Sequence, residues 1–588
     1  MHEDEDEGEI ALAELLPRGF ADHPAEAPQA TARWHSLEEL ESSASGGDLA
    51  WSHGSLWLGR TPTLAAVPVA WSDDRHMVTV AASRAGKGTS AIVPVLCDYP
   101  GSVLVFDPKG ENAAITAARR GFGAHDPDVS GMGQDVYVLD PFKASGVDEA
   151  YIAKFDPMAG MSSDDEKTRE TARLIADALV VSADQRDAHW DESAKTFIEG
   201  LILHAATWSE YEGDRSLARV HDLLRDGDVA AVDRYREQAR KSAEMTAETE
   251  VGRIEREILL KDAQTMTPFE ALLETMLSNS AFDGAVSGAA SGLKDLGDRE
   301  RGSVLSTARR NLKFLDSKEM QACLREDDHT IDLRDLKRHP KGVSVFVVLP
   351  SRHMRTHARW MRIILNLAIA RMEMDPSPPA SGHRVLAVLD EFPTLGHMPI
   401  LETAAGYMAG FGLKMWTILQ DLNQLKRHYE HSWETFLGNA GVLQFFANAD
   451  QTTLDYVSKR LGETEVLVRT ENTSTTETET ESDPSAADRA DSSKKAGVFA
   501  VRGSQRSNST SVARARTENA SIAKAALLTA DEMRRLFARE TNLQLVLTPD
   551  KDPIVLRRTP YFQDEAFRGK FLNPKTRTVV SRVAKVSE

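Results

Sequence analysis

Cysteine is almost absent from this sequence: the 588 residues include only Cys97 and Cys323. Two isolated cysteines exclude a disulfide-rich framework, neither stands at the spacing of a zinc site, and the pattern is typical of a reducing compartment. Basic residues are also in deficit, because 70 Lys and Arg oppose 90 Asp and Glu, a formal net charge of -20. This balance argues against indiscriminate binding to nucleic-acid phosphate, but it is compatible with a local basic patch.

Long apolar runs are missing as well. The longest, Val103–Phe106 and 343–349, are far shorter than the roughly 20 residues that a membrane-spanning helix needs. The acidic start at 1–7 lacks the basic and apolar segments of a secretory signal. We therefore expect a cytoplasmic protein with no transmembrane segment. A hydrophobic fraction of 41% is enough for an ordinary buried core.

The periodicity of apolar residues predicts an α/β fold. Short, continuously apolar segments are typical of strands that are buried on both faces of a parallel sheet. They lie at 76–82, 101–107, 135–140, 343–349 and 384–389. Helical periodicity dominates between about 162 and 324. This order predicts a mostly parallel sheet with helices on both faces, interrupted by an inserted all-α domain.

The same patterns divide the chain into six segments. The segment 469–522 is rich in Ser, Thr, Glu and Gly and has almost no periodicity, so we expect a disordered, low-complexity insertion there. The predicted segments are a partly irregular N-terminal lead-in (1–73), a first section of the nucleotide-binding domain (74–160), the all-α insertion (161–335), a second section of the nucleotide-binding domain (336–468), the low-complexity insertion (469–522), and a last section of the nucleotide-binding domain with the C-terminal tail (523–588).

A loop containing glycine and lysine follows the segment 76–82 and precedes a helix. In a phosphate-binding loop, backbone N–H groups surround the β-phosphate and a lysine, here Lys87, reaches the β- and γ-phosphates. The motif G-x-x-x-x-G-K-[ST] is incomplete, because Ala81 and Gly88 stand where a glycine and a hydroxyl residue are expected. The alternative is an ordinary strand-to-helix turn. The residues predicted to bind nucleotide are Ser83, Arg84, Ala85, Gly86, Lys87, Gly88, Thr89 and Ser90.

Two carboxylates, Asp390 and Glu391, follow directly after the apolar segment 384–389. Open α/β sheets bind ligands at the carboxyl ends of their strands. Phosphoryl transfer needs one carboxylate to hold Mg²⁺ and a second group to orient or deprotonate the attacking water. We assign the metal to Asp390, with Thr89 as the candidate hydroxyl ligand, and the water to Glu391. Together with the loop around Lys87, this pair predicts an ATPase that uses ATP and Mg²⁺.

Three other runs of residues are more specific than the phosphate loop. They are Asp-Pro-Lys-Gly-Glu-Asn at 107–112, Leu-Asp-Glu-Phe-Pro-Thr-Leu-Gly at 389–396, and Gln-Asp-Leu-Asn-Gln-Leu at 420–425. They resemble the coupling proteins of type IV secretion and conjugation, the TraG/TraD-like family. The resemblance extends from about 32 to 562 and leaves out both ends and the low-complexity insertion.

The resemblance implies a RecA-like P-loop NTPase domain that carries a separate all-α domain. It implies a ring, with six subunits expected, in which ATP is hydrolysed at subunit interfaces and Gln420 senses the γ-phosphate. It also implies partners: secretion-channel components at the inner membrane, and as cargo a relaxase–DNA complex or effector proteins, with single- or double-stranded DNA. We therefore expect a coupling ATPase that delivers cargo to the secretion channel from the cytoplasmic side, peripheral to the inner membrane.

Two features depart from the family pattern. Family members usually carry an N-terminal membrane domain with two spans, which this sequence does not show, so we expect membrane anchoring either to come from elsewhere or to be absent. Family members also offer an arginine to the neighbouring subunit's site, and no residue here matches it directly. Arg427 and Arg460 are the candidates, and the alternative for each is a solvated surface charge next to a lysine.

Two other functions remain open at this point. One is a docking receptor that binds ATP but turns it over slowly, which is favoured by Gly88, by the missing membrane domain and by the acidic charge. The other is a soluble DNA-translocating motor unconnected with secretion. The runs at 107–112 and 389–396 argue against that motor.

Overall fold

The computed structural model describes residues 32–125, 128–181, 188–246, 249–482 and 507–573. Its strands form one large sheet and two small two-stranded sheets. In chain order the strands are β1 (Leu56–Arg60), β2 (Pro68–Trp71), β3 (His76–Ala81), β4 (Val103–Phe106), β5 (Ala124–His125), β6 (Asp128–Val129), β7 (Asp135–Leu139), β8 (Val343–Val347), β9 (Val385–Leu389), β10 (Leu413–Leu419), β11 (Ala440–Phe446), β12 (Glu463–Ser482), β13 (Ser507–Ala526), β14 (Leu543–Thr548) and β15 (Lys551–Arg557).

The large sheet has 11 strands in the order β2-β1-β15-β14-β11-β3-β10-β9-β4-β8-β7. The strands from β11 to β7 are parallel to one another, and β14, β15, β1 and β2 continue the sheet in antiparallel fashion. Every residue of β3, β4, β8, β9, β10 and β11 is buried, which explains their continuous apolar character. The predicted mostly parallel sheet is confirmed.

The described helices are, in chain order, α1 (Leu37–Gly46), α2 (Val93–Asp98), α3 (Glu111–Arg120), α4 (Lys167–Leu179), α5 (Ala188–Thr207), α6 (Leu217–Asp226), α7 (Val229–Met245), α8 (Glu250–Thr265), α9 (Pro268–Leu277), α10 (Ala281–Asp295), α11 (Asp298–Leu312), α12 (Lys318–Cys323), α13 (Asp335–Arg338), α14 (Ser351–Met374), α15 (Pro399–Tyr407), α16 (Leu422–His428), α17 (Trp433–Gly438), α18 (Gln451–Leu461) and α19 (Ala530–Leu536). Helices α4 to α12 lie between strands β7 and β8, so the described chain carries the all-α insertion that the periodicity predicts. None of the described helices has the length and apolar character needed to cross a bilayer.

A buried arginine, Arg120, donates hydrogen bonds to residues at the amino ends of strands β4, β7 and β8. Arg120 closes helix α3 and is 0% exposed. Its guanidinium donates to five acceptors, which are Leu96 O, Tyr99 O, Gly101 O, Gln134 Oε1 and Ser344 Oγ. Because a buried charge is costly unless it is fully hydrogen-bonded, this network is a strong constraint on how α3 packs against the sheet.

The segment 1–73 contributes more to the sheet than a partly irregular lead-in suggests. Within its described residues, strands β1 and β2 extend the sheet beyond β15. Arg60 of β1 forms an ion pair of 2.6 Å with the buried carboxylate of Asp564 near the other end of the chain. These strands are only five and four residues long, and Gly59 and Pro68 weaken their strand signal.

The expectation of disorder across 469–522 is wrong for 469–482 and 507–522. Strands β12 and β13 pair antiparallel from Glu463 with Ala526 to Ser482 with Ser507, and the described residues of Ser458–Thr529 belong to a compact unit of their own. Threonine recurs along β12, and β-branched residues favour strands even where apolar residues are scarce. Residues 483–506 lie outside the described residues, so the prediction is not tested there.

Candidate active site

The predicted phosphate loop joins strand β3 to a helix. The backbone has positive φ angles of 61° at Arg84 and 92° at Gly86, then enters a short π-helix, Gly88–Ile92, that continues into α2. The backbone N–H and the hydroxyl of Ser90 both donate to Gly86 O, at 2.9 Å each. Glycine at position 86 suits this turn because it adopts positive φ without steric cost. The structure therefore has the strand–loop–helix geometry that a phosphate loop requires.

Lys87 points from this loop to the two carboxylates that follow strand β9. Its ammonium lies 3.0 Å from Asp390 Oδ1 and 2.8 Å from Glu391 Oε1. Burial disfavours the ammonium, but the two carboxylates outweigh burial and raise the pKa of Lys87. The lysine is therefore positively charged at neutral pH and lies near the carboxyl ends of β3 and β9, the two strands on either side of β10.

Glu391 connects the lysine to the predicted sensor. Gln420, which directly follows strand β10, donates from Nε2 to Glu391 Oε2 at 2.9 Å. Burial acts to raise the pKa of Glu391, but hydrogen bonds from Lys87 and Gln420 hold that pKa below its ordinary value. Strands β3, β10 and β9 are neighbours in the sheet, so residues far apart in sequence meet at one edge. The structure thus brings together Lys87, Asp390, Glu391 and Gln420.

Asp390 is the candidate metal ligand. Burial raises its pKa, although the Lys87 ammonium acts in the opposite direction. The hydroxyl of Thr89 donates to Gly86 O at 3.1 Å, so in this conformation it bonds to the loop backbone. Among the described residues there is no cluster of three or more His, Cys, Asp or Glu side chains that could hold a metal. A partly exposed carboxylate beside a phosphate loop suits Mg²⁺, which proteins usually bind through one or two carboxylates together with substrate phosphates.

Sequence reasoning missed the position of Asp107. Asp107 directly follows strand β4, which pairs with β9, and it is 1% exposed. It accepts a 2.9 Å hydrogen bond from the Ala113 N–H in the first turn of α3. Burial raises the pKa of Asp107 to about 7, and the nearby charge of Asp390 adds to that effect. In the sequence, only the family resemblance distinguishes the run at 107–112. The structure shows that its aspartate accepts a hydrogen bond from the first turn of α3 and so acts as a helix cap.

The glycine of the same run is also explained. Gly110 has a φ of 71°, and a Cβ there would lie 2.5 Å from Ser145 Cα. Lys109, the neighbouring residue, helps to lower the pKa of Glu391 by its positive charge. The loop after β4 therefore contributes electrostatically to the site while its glycine permits close packing.

A second residue that the sequence did not reveal is Arg558, which directly follows strand β15. Its Nη1 donates to Ala85 O in the phosphate loop at 2.6 Å, and its guanidinium lies 4.5 Å from the centre of the Phe446 ring. Burial lowers its pKa to about 10. The contact partners are 473 residues apart, so no local pattern indicates that this arginine supports the loop.

The two candidate arginines for a neighbouring site are both exposed, Arg427 in helix α16 and Arg460 in helix α18. A single chain does not test which of them reaches another subunit, so both stay predictions. The roles assigned to Lys87, Asp390, Glu391, Gln420 and the loop residues likewise stay predictions, although the geometry brings the side chains together.

Comparisons with known proteins agree with the resemblance. A family model described as Type IV secretory system Conjugative DNA transfer matches residues 34–490 and 483–584. The conjugal transfer protein TraG of Escherichia coli is 27% identical over 404 residues, covering 67% of this chain and 56% of TraG. Protein VirD4 of Agrobacterium fabrum (strain C58) is 25% identical over 573 residues, covering 96% of this chain and 70% of VirD4. The chain thus spans little more than half the length of TraG.

Two solved structures of the coupling protein TrwB have the same fold. The bacterial conjugative coupling protein TrwBdeltaN70 has a TM-score of 0.55 at 14% identity, over 92% of this chain and 96% of that chain. The plasmid coupling protein TrwB in complex with ADP and Mg²⁺ has a TM-score of 0.53 at 14% identity, over the same shares of the two chains. This likeness confirms the predicted fold class, a RecA-like P-loop domain with a helical domain.

Proposed function

The chain belongs to the family of type IV secretory system conjugative DNA-transfer proteins, and on this premise we propose that it is a coupling ATPase. In this proposal it recruits a DNA–protein complex or an effector protein and delivers that cargo to the secretion channel. The observation that carries the proposal is the meeting of Lys87, Glu391 and Gln420 at one edge of the sheet, with hydrogen bonds of 2.8 and 2.9 Å.

The geometry supports a defined role for each residue. ATP binding transfers the Lys87 ammonium from the two carboxylates to the β- and γ-phosphates, where its charge stabilises the transition state. Glu391, released from the lysine, orients or deprotonates the attacking water, and Gln420 links the position of that carboxylate to the γ-phosphate. Asp390, with Thr89 as the second candidate, would hold the Mg²⁺ that accompanies ATP, and the ion would supply positive charge against the phosphates.

The assembly and location belong to the same proposal. We expect a ring of six subunits with nucleotide at each interface, completed by an arginine from the neighbour, either Arg427 or Arg460. Because the chain is acidic overall, binding of DNA depends on a local basic patch, whereas a basic cargo segment is attracted by the overall charge. The expected position is the cytoplasmic face of the inner membrane, against secretion-channel components.

Lys87→Ala tests the hydrolytic role. Removing a donor that stabilises transition-state charge lowers kcat by about 10²–10³-fold, so ATP turnover of the variant should fall at least that far. Lys318→Ala, at an exposed position of helix α12, is the matched control and should retain wild-type turnover. Thermal unfolding of both variants checks that the fold is intact. Hydrolysis that survives in folded Lys87→Ala protein would overturn the proposal.

A docking receptor with little turnover is the second candidate. It is favoured by Gly88, which offers no hydroxyl, and by the Thr89 and Ser90 hydroxyls, which both bond to Gly86 O. Glu391→Gln separates the two functions in a transfer assay with a defined cargo. The variant should block transfer if hydrolysis drives delivery, and it should leave cargo binding and delivery intact if the protein is a receptor.

A further inference from the structure

Helix α14 carries two arginines, three residues apart, that face the helical domain. Arg359 donates to Leu179 O at 2.9 Å and to Asn311 Oδ1 at 2.8 Å, so it contacts α4 and α11. Arg362 is 4% exposed and lies on the same side of α14. The helix therefore stands between the all-α insertion and the rest of the P-loop domain.

Arg362 bonds to both neighbours at once. Its Nε donates to Ala178 O in the last turn of α4 at 3.0 Å. Its Nη1 donates to Leu395 O at 2.7 Å and to His397 O at 2.8 Å. One guanidinium thus joins the helical domain to the segment that directly follows the catalytic candidate Glu391.

That segment is firmly attached to Glu391. Residues Phe392–Leu395 form a 3-10 turn in which the N–H and the hydroxyl of Thr394 donate to Glu391 O at 2.9 and 2.8 Å. Glu391 itself has a φ of 55°, a conformation that side chains with a Cβ rarely adopt and that persists only when the surroundings hold it. Any shift of Leu395 and His397 therefore acts directly on the backbone that sets the direction of the Glu391 carboxylate.

Because Arg362 is buried and charged, movement of α4 affects its hydrogen bonds. Its hydrogen-bond acceptors among the described residues are all backbone carbonyls, and burial lowers its pKa to about 10, so it is still charged at neutral pH. Ala178 O belongs to the last turn of α4, where carbonyls lack partners inside the helix. If α4 moves, a buried N–H loses its acceptor, which is unfavourable, and the guanidinium follows or reorients. The hydrogen bond to Ala178 O is therefore energetically coupled to those with Leu395 O and His397 O.

We propose that Arg362 is a positioning residue through which the helical domain controls the placement of Glu391. The regulation rests on the coupling-ATPase function proposed above: cargo that displaces α4 would change the rate of hydrolysis without touching the nucleotide. Because coupling is reciprocal, nucleotide binding at Lys87 and Glu391 should also alter the last turn of α4.

Hydrogen–deuterium exchange of the full chain tests this directly, with Arg362→Lys as the variant because lysine keeps the charge but loses the planar fork. Arg371→Met, on the same helix, is the control, since the described hydrogen bond of Arg371 goes to Met374. In protein without added nucleotide, amides in 392–398 should exchange about tenfold faster in Arg362→Lys, a ratio that corresponds to about 1.4 kcal/mol. In Arg371→Met they should match the wild type.

A non-hydrolysable ATP analogue supplies the second readout. In the wild type it should change exchange in residues 174–180, and in Arg362→Lys that change should disappear, while the KM for ATP stays near the wild-type value and kcat falls. Equal exchange of 392–398 in the lysine variant and the control, or an undiminished response of 174–180, would overturn the inference. If the analogue does not bind the wild type, the proposed function fails, whereas the comparison without nucleotide still decides the role of Arg362.

Discussion

Glu391→Gln removes one negative charge from the centre of the candidate active site and preserves the size of the side chain. Lys87 Nζ lies 2.8 Å from Glu391 and 3.0 Å from Asp390. The ammonium has to leave some of these contacts before it reaches the phosphates of ATP. We therefore expect the glutamine variant to bind ATP more tightly than the wild type while it loses turnover.

The magnitude follows from the exposure of the pair. A hydrogen bond that involves charged groups contributes about 1.5–3 kcal/mol. The Glu391 side chain is 27% exposed, so solvent screens some of this energy, and the glutamine oxygen still accepts from Lys87. We assign about 1 kcal/mol to the charge of Glu391, so its removal should lower the Kd for ATP about fivefold. Loss of the group that orients the water lowers kcat by about 10²–10⁴-fold.

Isothermal titration calorimetry with a non-hydrolysable ATP analogue and Mg²⁺ measures the affinity, and a phosphate-release assay measures kcat. Glu434→Gln, in the first turn of α17, is the control for the loss of one acidic charge and should change neither value. Weaker or unchanged binding by Glu391→Gln would refute the view that the lysine is exchanged between carboxylates and phosphates.

Two further predictions concern stability. Arg120→Met removes the donor that five buried acceptors share. Gln134 Oε1 and Gly101 O keep a hydrogen bond from Ser344 Oγ and Gln134 Nε2, and the other three acceptors lose a bond at about 1–3 kcal/mol each, a large part of a domain's stability. The Tm of the variant should therefore be far below that of the wild type, and a wild-type Tm would contradict the assigned network. Burial raises the pKa of Asp107 to about 7 from 3.8, so the folded protein holds this proton more tightly than the unfolded chain does, and wild-type stability falls as pH rises through that window. In Asp107→Asn, the unfolding free energy from urea titrations should vary less with pH across this window. The same pH dependence as in the wild type would count against the assignment.

The strands of the parallel sheet were predictable because burial on both faces leaves a continuous apolar run. Strands β3, β4, β8 and β9 follow that rule, and their order along the chain places Lys87 and Asp390 at one edge. The meeting of Lys87 with Glu391 was predictable for the same reason, since each residue follows a strand or its loop. Gln420 was expected there only from the family resemblance.

The residues that escaped prediction depend on distant partners or on strand propensity. Arg558 contacts Ala85 across 473 residues, and Arg362 contacts Ala178 across 184 residues, so neither contact has a local signature. The pairing of β12 with β13 was missed because the prediction counted apolar residues and ignored the strand propensity of threonine. Contacts between residues far apart in sequence, and strands made of polar residues, are therefore the features that could not be predicted from this sequence.

The most direct test of the central claim is the steady-state ATPase rate per subunit, measured against protein concentration with and without single-stranded DNA. A shared site in an assembling, cargo-linked motor predicts a rate that rises with protein concentration, rises again with DNA, and is abolished by Lys87→Ala. Measurable ATP binding with no turnover under any of these conditions would contradict the hydrolytic role of Lys87, Glu391 and Gln420.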